Sequence, residues 1–351
     1  MGFVIALLVL SALVFFHELG HFAAARFLGV HVEVFSIGFG KKLYSKMIGK
    51  TQWSISAIPL GGYVRMKGQD DTDPTKISYD ADSYSSKQPW QRIIILLAGP
   101  FANFLLAFFL YFAIANLGVP KLLAYVGEVS KDSPAYQAGL QKNDRIISID
   151  KKEIKYWESI AQQINESTTE VSLEIERDHT TISLQLTPKL IEDQNIFGET
   201  ITRRIIGISP SGKQAVVDFG LIDGVAYAWE ETQKAGLLII QSIQKLLTGV
   251  VGADKVGGVI TIVDVTAQAS YAGLVSLLFF TALISVNLGV LNLLPIPALD
   301  GGHIIFNLYE WIRKKAPSEN IMYRMTVAGW GILIGLMVLG LYNDINRLWG
   351  N

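Results

Sequence analysis

The chain has 351 residues, of which 50% are hydrophobic and 17% charged. Its mean hydropathy is positive, which is too apolar for an ordinary soluble enzyme of this length and predicts a membrane protein. A formal net charge of −1 gives no basic domain for nucleic acid, so no nucleic-acid partner is expected. The absence of cysteine excludes disulfides, thiolate metal sites and cysteine nucleophiles.

The first predicted membrane helix covers residues 3–28, long enough for the roughly 20 residues that a bilayer core requires. No Lys or Arg precedes it, and it continues through His17-Glu18-Leu19-Gly20-His21, so we interpret it as a retained helix and not as a cleaved signal. An HExxH motif on a helix sets two imidazoles one turn apart, where they can hold Zn²⁺ beside a proton-transferring glutamate. Ionisable groups at membrane depth cost roughly 2.5 to 3.5 kcal/mol each, which favours a functional site.

Residues 31–66 alternate in short runs punctuated by glycine, a pattern that predicts β-strands. A polar loop is expected over residues 69–86. This region is rich in basic residues, which favour the cytoplasmic side of a membrane. They are Lys41, Lys42, Lys46, Lys50, Arg65, Lys67, Lys76 and Lys87.

A second membrane helix is predicted over residues 93–117 and ends at a Gly-Val-Pro sequence. Residues 121–223 are polar enough for a small soluble α+β domain, expected on the side opposite the basic loop. Its expected elements are strands at 124–130, 146–149, 171–177, 181–187 and 203–209, and a helix at 156–164.

Residues 224–270 include an amphipathic stretch that favours an interfacial segment over a membrane span. A third membrane helix is predicted over 271–294 and a fourth over 325–342, with a basic connection around Arg313 between them. Four spans put both basic connections in the cytoplasm, and both termini and the soluble domain outside. The HExxH motif then lies nearer the cytoplasmic surface.

A catalytic zinc generally takes three protein ligands, so the HExxH motif lacks one. The favoured third ligand is Asp300, because Pro295 and Pro297 break the helix before it and give a carboxylate access to a cavity. His303 is the alternative ligand. Without a metal, Asp300 would be read as a helix N-cap and His303 as a surface or helix-start residue.

With zinc in place, Glu18 is expected to act as general base toward water and as proton donor to the leaving nitrogen. A five-residue motif also occurs by chance in proteins with no catalytic role. An apolar helix and a carboxylate at matching depth favour the catalytic interpretation here.

These residues resemble the site-2 protease family of intramembrane zinc metalloproteases, most closely its bacterial RseP-type branch, over nearly the whole chain. The matching motifs are HExxH, at His17, Glu18 and His21; NxxPxPxLDG, at Asn292, Pro295, Pro297, Asp300 and Gly301; and GPxxN, at Gly99, Pro100 and Asn103. The resemblance implies that Asp300 is the third zinc ligand. It also implies that Asn292 and the two prolines beside it help to hold the substrate backbone.

Residues 32–66 are similar to the membrane-associated β-region of that family, which pairs with extended substrate. A helical substrate has its amides bonded internally, so an edge strand can supply replacement hydrogen bonds once it unwinds. Gly61, Gly62 and Tyr63 are the candidate substrate contacts. The alternative is a purely structural hairpin.

The soluble segment resembles a PDZ domain through Ser133-Pro134-Ala135 and the sequence from Gly139 to Ile146, which implies binding of peptide termini. Asn143 and Lys151 stand where that pattern has glycine. Asparagine tolerates left-handed backbone geometry, whereas lysine at a tight turn does not do so readily.

The predicted fold is therefore a multi-span α-helical membrane protein with four transmembrane helices, a membrane-associated β-region and an inserted α+β PDZ domain. By resemblance, its function is zinc-dependent cleavage within or near the transmembrane helix of a single-span substrate, such as an anti-sigma factor already trimmed by a first protease. The expected location is the bacterial inner membrane. A metal permease and a catalytically silent membrane PDZ receptor are the alternatives.

Overall fold

The computed structural model describes residues 2–69, 78–167 and 169–349. The chain forms two compact units, one of Met1–Ile114 with Leu221–Asn351 and the other of Ala115–Gly220. In chain order the elements are α1 (Gly2–Phe27), β1 (Val32–Ile48), β2 (Thr51–Met66), α2 (Pro89–Leu117), β3 (Val119–Leu122), β4 (Val126–Val129), α3 (Pro134–Gln137), β5 (Arg145–Ile149), β6 (Lys152–Glu153), α4 (Trp157–Glu166), β7 (Val171–Arg177), β8 (Thr180–Leu186), β9 (Lys189–Gln194), β10 (Thr200–Ile205), β11 (Ile208–Pro210), β12 (Gln214–Val217), α5 (Gly220–Leu247), α6 (Val259–Ala272), α7 (Leu274–Asn292), α8 (Asp300–Arg313) and α9 (Glu319–Trp349).

Within the described residues, four helices are long and apolar enough to cross a membrane: α1, α2, α7 and α9. Their lengths of 26, 29, 19 and 31 residues compare with the roughly 20 that a bilayer core requires. Their number agrees with the four spans expected from hydropathy. The described part of the chain is thus rich in helix, with four candidate membrane-spanning helices, and it also contains β-sheets.

The fourth of these helices is longer than expected, since α9 covers Glu319–Trp349 and not only residues 325–342. Its last turns are polar, so hydropathy does not predict them as part of the membrane helix, although they are helical. Asn343 and Asp344 are buried there, and the Asn343 amide donates to the carbonyl of Val256 at 3.0 Å. Tertiary hydrogen bonds therefore extend the helix beyond its apolar part.

The amphipathic helix expected over residues 225–251 corresponds to α5, and the segment 224–270 also contains a second helix, α6. The backbone N–H groups of Gly258, Ile260 and Thr261 at the start of α6 donate to the Asp344 carboxylate at 2.9 to 3.1 Å. A carboxylate satisfies the free N–H groups of a helix start and complements its dipole. Because this cap comes from α9, no local sequence signal marks the beginning of α6. The interfacial position of α5 stays a prediction.

The strands β1 and β2 pair antiparallel, and both bend, so that β1 contacts β2 twice. Val34 has Arg65 as its partner on one side and Gln52 on the other. Residues 62–66 consequently form an edge of this sheet, and no other strand in the described part of the chain pairs with their free side.

Aromatic packing fixes this sheet on α1. The Phe35 ring is fully buried and stacks on Trp53 with 4.4 Å between ring centroids. Phe22 of α1 meets Phe35 edge to face at 5.7 Å. Such pairs add roughly 0.5 to 1.5 kcal/mol beyond the apolar area that they bury. The edge at residues 62–66 is therefore held in a fixed position beside the helix that carries the HExxH motif.

The second unit is built around a four-stranded sheet in the order β6-β5-β7-β8, with the pairs β4–β11, β3–β12 and β9–β10 beside it. Its core is formed by buried aliphatic side chains, among them Ile146, Ile149, Leu173 and Ile175. The two positions that lack the expected glycine both adopt a positive φ, 72° at Asn143 and 67° at Lys151. The turn after β5 is thus made with lysine in the left-handed region, at a cost of roughly 1 to 2 kcal/mol.

A buried ion pair in this unit joins the end of β7 to the loop before β5. Asp144 is 1% exposed and accepts two hydrogen bonds from the Arg177 guanidinium, both at 2.7 Å. These bonds hold the pKa of Arg177 above its usual value. Removal of one partner from a buried pair leaves an uncompensated charge, whereas an exposed pair contributes little.

We predict that Arg177→Leu destabilises this unit by about 1 to 3 kcal/mol, because Asp144 would remain buried with the Gln141 N–H as its remaining donor at 2.7 Å. Arg145→Leu is the matched control. Its pair with Glu176 is solvent-exposed and 3.4 Å long, so a loss of about 0 to 1 kcal/mol is expected. Native-state hydrogen exchange of the β5 and β7 amides in the full chain measures the loss of stability in each variant. Equal losses of stability in Arg177→Leu and Arg145→Leu would contradict the prediction.

Candidate metal centre

Three side chains converge where α1 meets the start of α8. His17 and His21 lie one turn apart on α1, with their Nε2 atoms 3.1 Å from each other. The Asp300 Oδ2 atom is 3.3 Å from Nε2 of His17 and 3.4 Å from Nε2 of His21. Among the described residues, these three form the one group of His and acidic side chains close enough to hold a metal ion.

The spacing of the three atoms matches a tetrahedral zinc site. Zinc to nitrogen or oxygen distances of about 2.0 to 2.1 Å place neighbouring tetrahedral ligands about 3.3 to 3.4 Å apart. The Asp300 Oδ2 atom is also buried with no hydrogen-bond partner. A buried carboxylate oxygen without a partner is costly, and a cation bound by these three atoms would satisfy it. The residues present therefore fit Zn²⁺, and a fourth coordination position would be open.

A compact turn between α7 and α8 brings the carboxylate to this position. It contains Pro295 and Pro297 and ends at Leu299, the N-cap of α8, so Asp300 is the first residue of the helix and not its cap. A Cβ at Gly301 would lie 2.3 Å from the carbonyl oxygen of Leu294, so only glycine permits this turn to close. The helix-breaking sequence thus makes the turn that directs Asp300 toward α1.

The second membrane helix approaches the same histidines closely. A Cβ at Gly99 would lie 2.2 Å from Nε2 of His21, and a Cβ at Gly20 would lie 2.2 Å from the carbonyl oxygen of Ala98. The crossing of α1 and α2 therefore requires glycine on both helices. In the sequence, Gly99 is recognisable only as part of the GPxxN motif. Its contact with His21 can be inferred only when the pairing of α1 with α2 is known.

Polar contacts with α2 orient both imidazole rings. Nδ1 of His21 lies 2.8 Å from the carbonyl oxygen of Ile95, which can only accept, so this nitrogen carries the proton and leaves Nε2 free as a ligand. Nδ1 of His17 lies 3.1 Å from the amide nitrogen of Asn103, a fully buried residue. Both imidazoles thus have a partner on α2 on the side away from Asp300.

A cavity of about 520 Å³ opens on the three side chains. Its lining includes Glu18, which lies beside the two histidines, and the edge residues of β2. A Cβ at Gly62 would lie 3.4 Å from Cγ of Glu18, so the edge strand passes directly over the glutamate. The lining residues are His17, Glu18, His21, Phe39, Gly62, Tyr63, Val64, Arg65, Met66, Gln69, Leu96, Ala298, Leu299, Asp300, His303 and Trp330.

Some of the site residues predicted from the sequence line the cavity in the structure, and others do not. Glu18, Gly62 and Tyr63 line the cavity with the three clustered side chains, and His303 also lines it but lies outside the cluster. Four other candidates are not among the lining residues: Gly61, Asn292, Pro295 and Pro297. The Asn292 amide donates within its own helix to the carbonyl of Leu288 at 3.0 Å. The substrate roles expected for these residues stay predictions.

Two imidazoles from an HExxH helix, one distant carboxylate and a cavity at the open position define a metallopeptidase type of site. Residues 5–336 match peptidase family M50. The protein named “Putative zinc metalloprotease” in Campylobacter jejuni is 46% identical over 349 residues, which cover 99% of this chain and 94% of that relative. A protein of the same name in Helicobacter pylori strain J99 is 42% identical, with 99% of each chain covered. The Bacillus subtilis protein named “Regulator of sigma-W protease RasP” is 29% identical, with 98% of each covered.

The chain therefore belongs to peptidase family M50, the site-2 protease family. It is a zinc metalloprotease, and the part of the chain that the structure describes contains four helices long and apolar enough to span a membrane.

We predict that Asp300→Asn lowers zinc affinity by more than about 100-fold, beyond the 10 to 100-fold typical of losing a group that only orients a ligand. The variant keeps the side-chain volume and removes the anionic oxygen between the histidines. His303→Gln is the control and is expected to bind zinc as the wild type does. Competition with a chelator measures both affinities, and the opposite ranking would make His303 the third ligand.

Proposed function

We propose that this protein is an intramembrane endopeptidase that uses Zn²⁺ held by His17, His21 and Asp300 to cleave a peptide bond within or near a transmembrane helix of its substrate. The observation that carries the proposal is the position of two of these ligands on α1. This helix is apolar and long enough to span a bilayer, yet it presents His17, Glu18 and His21 to one cavity. Ionisable groups in such a helix are expected to be functional.

When bound, zinc supplies a Lewis acid that polarises the peptide carbonyl and lowers the pKa of water at the open position. Glu18 takes the proton from the attacking water and delivers it to the leaving nitrogen. Its place in the lining, next to both histidines, supports this role because general bases act from hydrogen-bonding distance of the proton that they transfer.

The free edge at residues 62–66 binds the substrate as an added strand. A transmembrane helix has its amides bonded internally, so the segment to be cleaved must unwind and exchange those bonds for others. An edge strand offers unpaired backbone groups to an extended peptide. Gly62 and Tyr63 would contact it directly, and Gly61 permits the turn into the edge with its φ of 125°. Asn292, Pro295 and Pro297 do not line the cavity, and the role of holding the substrate backbone is proposed for them only by analogy with the family.

The unit Ala115–Gly220 is proposed to be a PDZ domain that binds peptide termini. Support comes from its small sheet with two helices and from Ser133, whose hydroxyl accepts a hydrogen bond from the Tyr136 N–H at the start of α3. The left-handed backbone at Asn143 supports the same assignment, because glycine is usual there in PDZ domains.

We place the protein in the bacterial inner membrane, with both termini and residues 121–223 outside and the zinc site toward the cytoplasm. The basic residues between Lys41 and Lys67 support this orientation. The proposed substrates are single-span membrane proteins of the anti-sigma factor type after a first cleavage. The name of the Bacillus subtilis relative, a regulator of sigma-W protease, supports this class.

We predict that Glu18→Gln lowers the cleavage rate of a purified single-span substrate in detergent by about 10² to 10⁴-fold, the usual contribution of general acid–base catalysis. Zinc content should not change, since the glutamate is not a ligand. Glu158→Gln makes the same chemical change on the exposed surface of the other unit and is expected to cleave normally.

Wild-type cleavage by Glu18→Gln, or activity that survives removal of zinc by a chelator, would overturn the mechanism. A wild-type protein that binds peptide termini but cleaves nothing would support the silent receptor. Zinc uptake into proteoliposomes without cleavage would support the permease.

We predict that Gly62→Val lowers kcat/KM by about 10²-fold, because a small displacement of bound substrate has effects of that size. A Cβ there would lie 2.7 Å from the carbonyl oxygen of Ser36 on β1 and 3.2 Å from Cγ1 of Val14 on α1, so it would displace the edge strand. Gly331→Val is the control, since a Cβ at Gly331 meets open space. Equal kcat/KM for Gly62→Val and wild type would remove the edge strand from substrate binding.

A further inference from the structure

The two zinc-ligand candidates on α1 have different partners on α2. The partner of His21 is a backbone carbonyl, which can only accept a hydrogen bond. The partner of His17 is the side-chain amide of Asn103, which can donate through its nitrogen or accept through its oxygen. The orientation of this amide therefore decides which ring nitrogen of His17 carries the proton.

Zinc binding is compatible with one of the two orientations. If the Asn103 nitrogen donates to Nδ1 of His17, the proton of the neutral ring is on Nε2, the atom that lies 3.3 Å from Asp300. That atom could not then bind a metal, because its lone pair would be protonated. A ligand at Nε2 requires the proton on Nδ1 and an acceptor facing it.

The acceptor is available on the same side chain. The Oδ1 atom of Asn103 is buried and has no hydrogen-bond partner when the amide nitrogen faces His17. A rotation of the amide by 180° exchanges the two atoms and brings Oδ1 to Nδ1 of His17. The rotation turns only the amide group and leaves the backbone carbonyl of Asn103 in place, where it accepts a hydrogen bond from the Ser285 hydroxyl at 2.8 Å.

We propose that Asn103 is a positioning residue whose amide oxygen accepts a hydrogen bond from Nδ1–H of His17 and keeps the Nε2 lone pair directed at the metal. The proposal rests on the zinc ligand set proposed above. The four-residue spacing of Gly99 and Asn103 on α2 then matches that of His21 and His17 on α1. The glycine admits one imidazole and the asparagine orients the other.

Zinc affinity of the full chain in detergent, measured by competition with a chelator, tests the proposal. Asn103→Leu removes the acceptor and is expected to weaken zinc binding by about 10 to 100-fold. Asn103→Asp keeps an acceptor and removes the donor, so its affinity should stay within about threefold of wild type, in line with carboxylate–histidine–zinc triads. Asn103→Ala removes both atoms without adding bulk and should match Asn103→Leu.

Ser285→Ala is the control for helix packing, because it perturbs the backbone contact of Asn103 and leaves the amide in place. It should bind zinc as tightly as wild type. Wild-type affinity in both Asn103→Leu and Asn103→Ala would overturn the proposal, as would an Asn103→Asp variant as weak as Asn103→Leu. Equal weakening by Ser285→Ala would assign the effect to packing and would also overturn it.

His17→Ala is measured alongside to separate this proposal from the ligand set. If His17→Ala loses zinc while the Asn103 variants keep it, the ligand set stands and the role of Asn103 fails. If His17→Ala binds zinc as the wild type does, the ligand set itself fails.

Discussion

The structure depends on bringing two imidazoles and a carboxylate from opposite ends of the chain to within zinc-ligand distance of one another. His17, His21 and Asp300 would be costly in an apolar interior without a cation to hold them together. The closeness of α1 to α2 at Gly20 and Gly99, and the turn that ends at Asp300, both serve this convergence. A larger side chain at any of these glycines would separate the groups that the site must join.

The helices and the β1–β2 sheet contribute differently to the site. The helices hold the side chains of the metal centre and its partners at fixed depth, which a helix does well because its backbone is internally bonded. The bent sheet β1–β2 does the opposite, since residues 62–66 leave one edge of backbone groups unpaired next to Glu18. Under the proposed function, the helices supply rigid elements for chemistry, and the open edge receives a substrate that has lost its own hydrogen bonds.

Features that follow from local chemistry could be predicted from the sequence. The four apolar helices, the pairing of HExxH with Asp300 and the β-region between the first two helices are each marked by composition, spacing or proline. Features that depend on contacts between residues far apart in the sequence could not be predicted. The start of α6 is capped by Asp344 from α9, and the last turns of α9 are stabilised by the residues before α6, so neither has a local signal.

The role of α2 is the clearest example of a feature that the sequence alone does not predict. Gly99 and Asn103 belong to the GPxxN motif, but the motif does not indicate which residues they contact. Only the crossing of α1 and α2 reveals that one residue leaves room for His21 and the other faces His17. The reverse holds for Asn292, Pro295 and Pro297, because the family motif implies a substrate contact at positions that do not line the cavity.

X-ray absorption at the zinc edge of the purified full chain is the decisive test of zinc bound by His17, His21 and Asp300. This ligand set predicts only nitrogen and oxygen neighbours, at about 2.0 to 2.1 Å, with multiple scattering from two imidazoles. His17→Ala and His21→Ala should each remove one imidazole from that signal or abolish binding. A third imidazole in the wild type, or two imidazoles that persist in either variant, would contradict it.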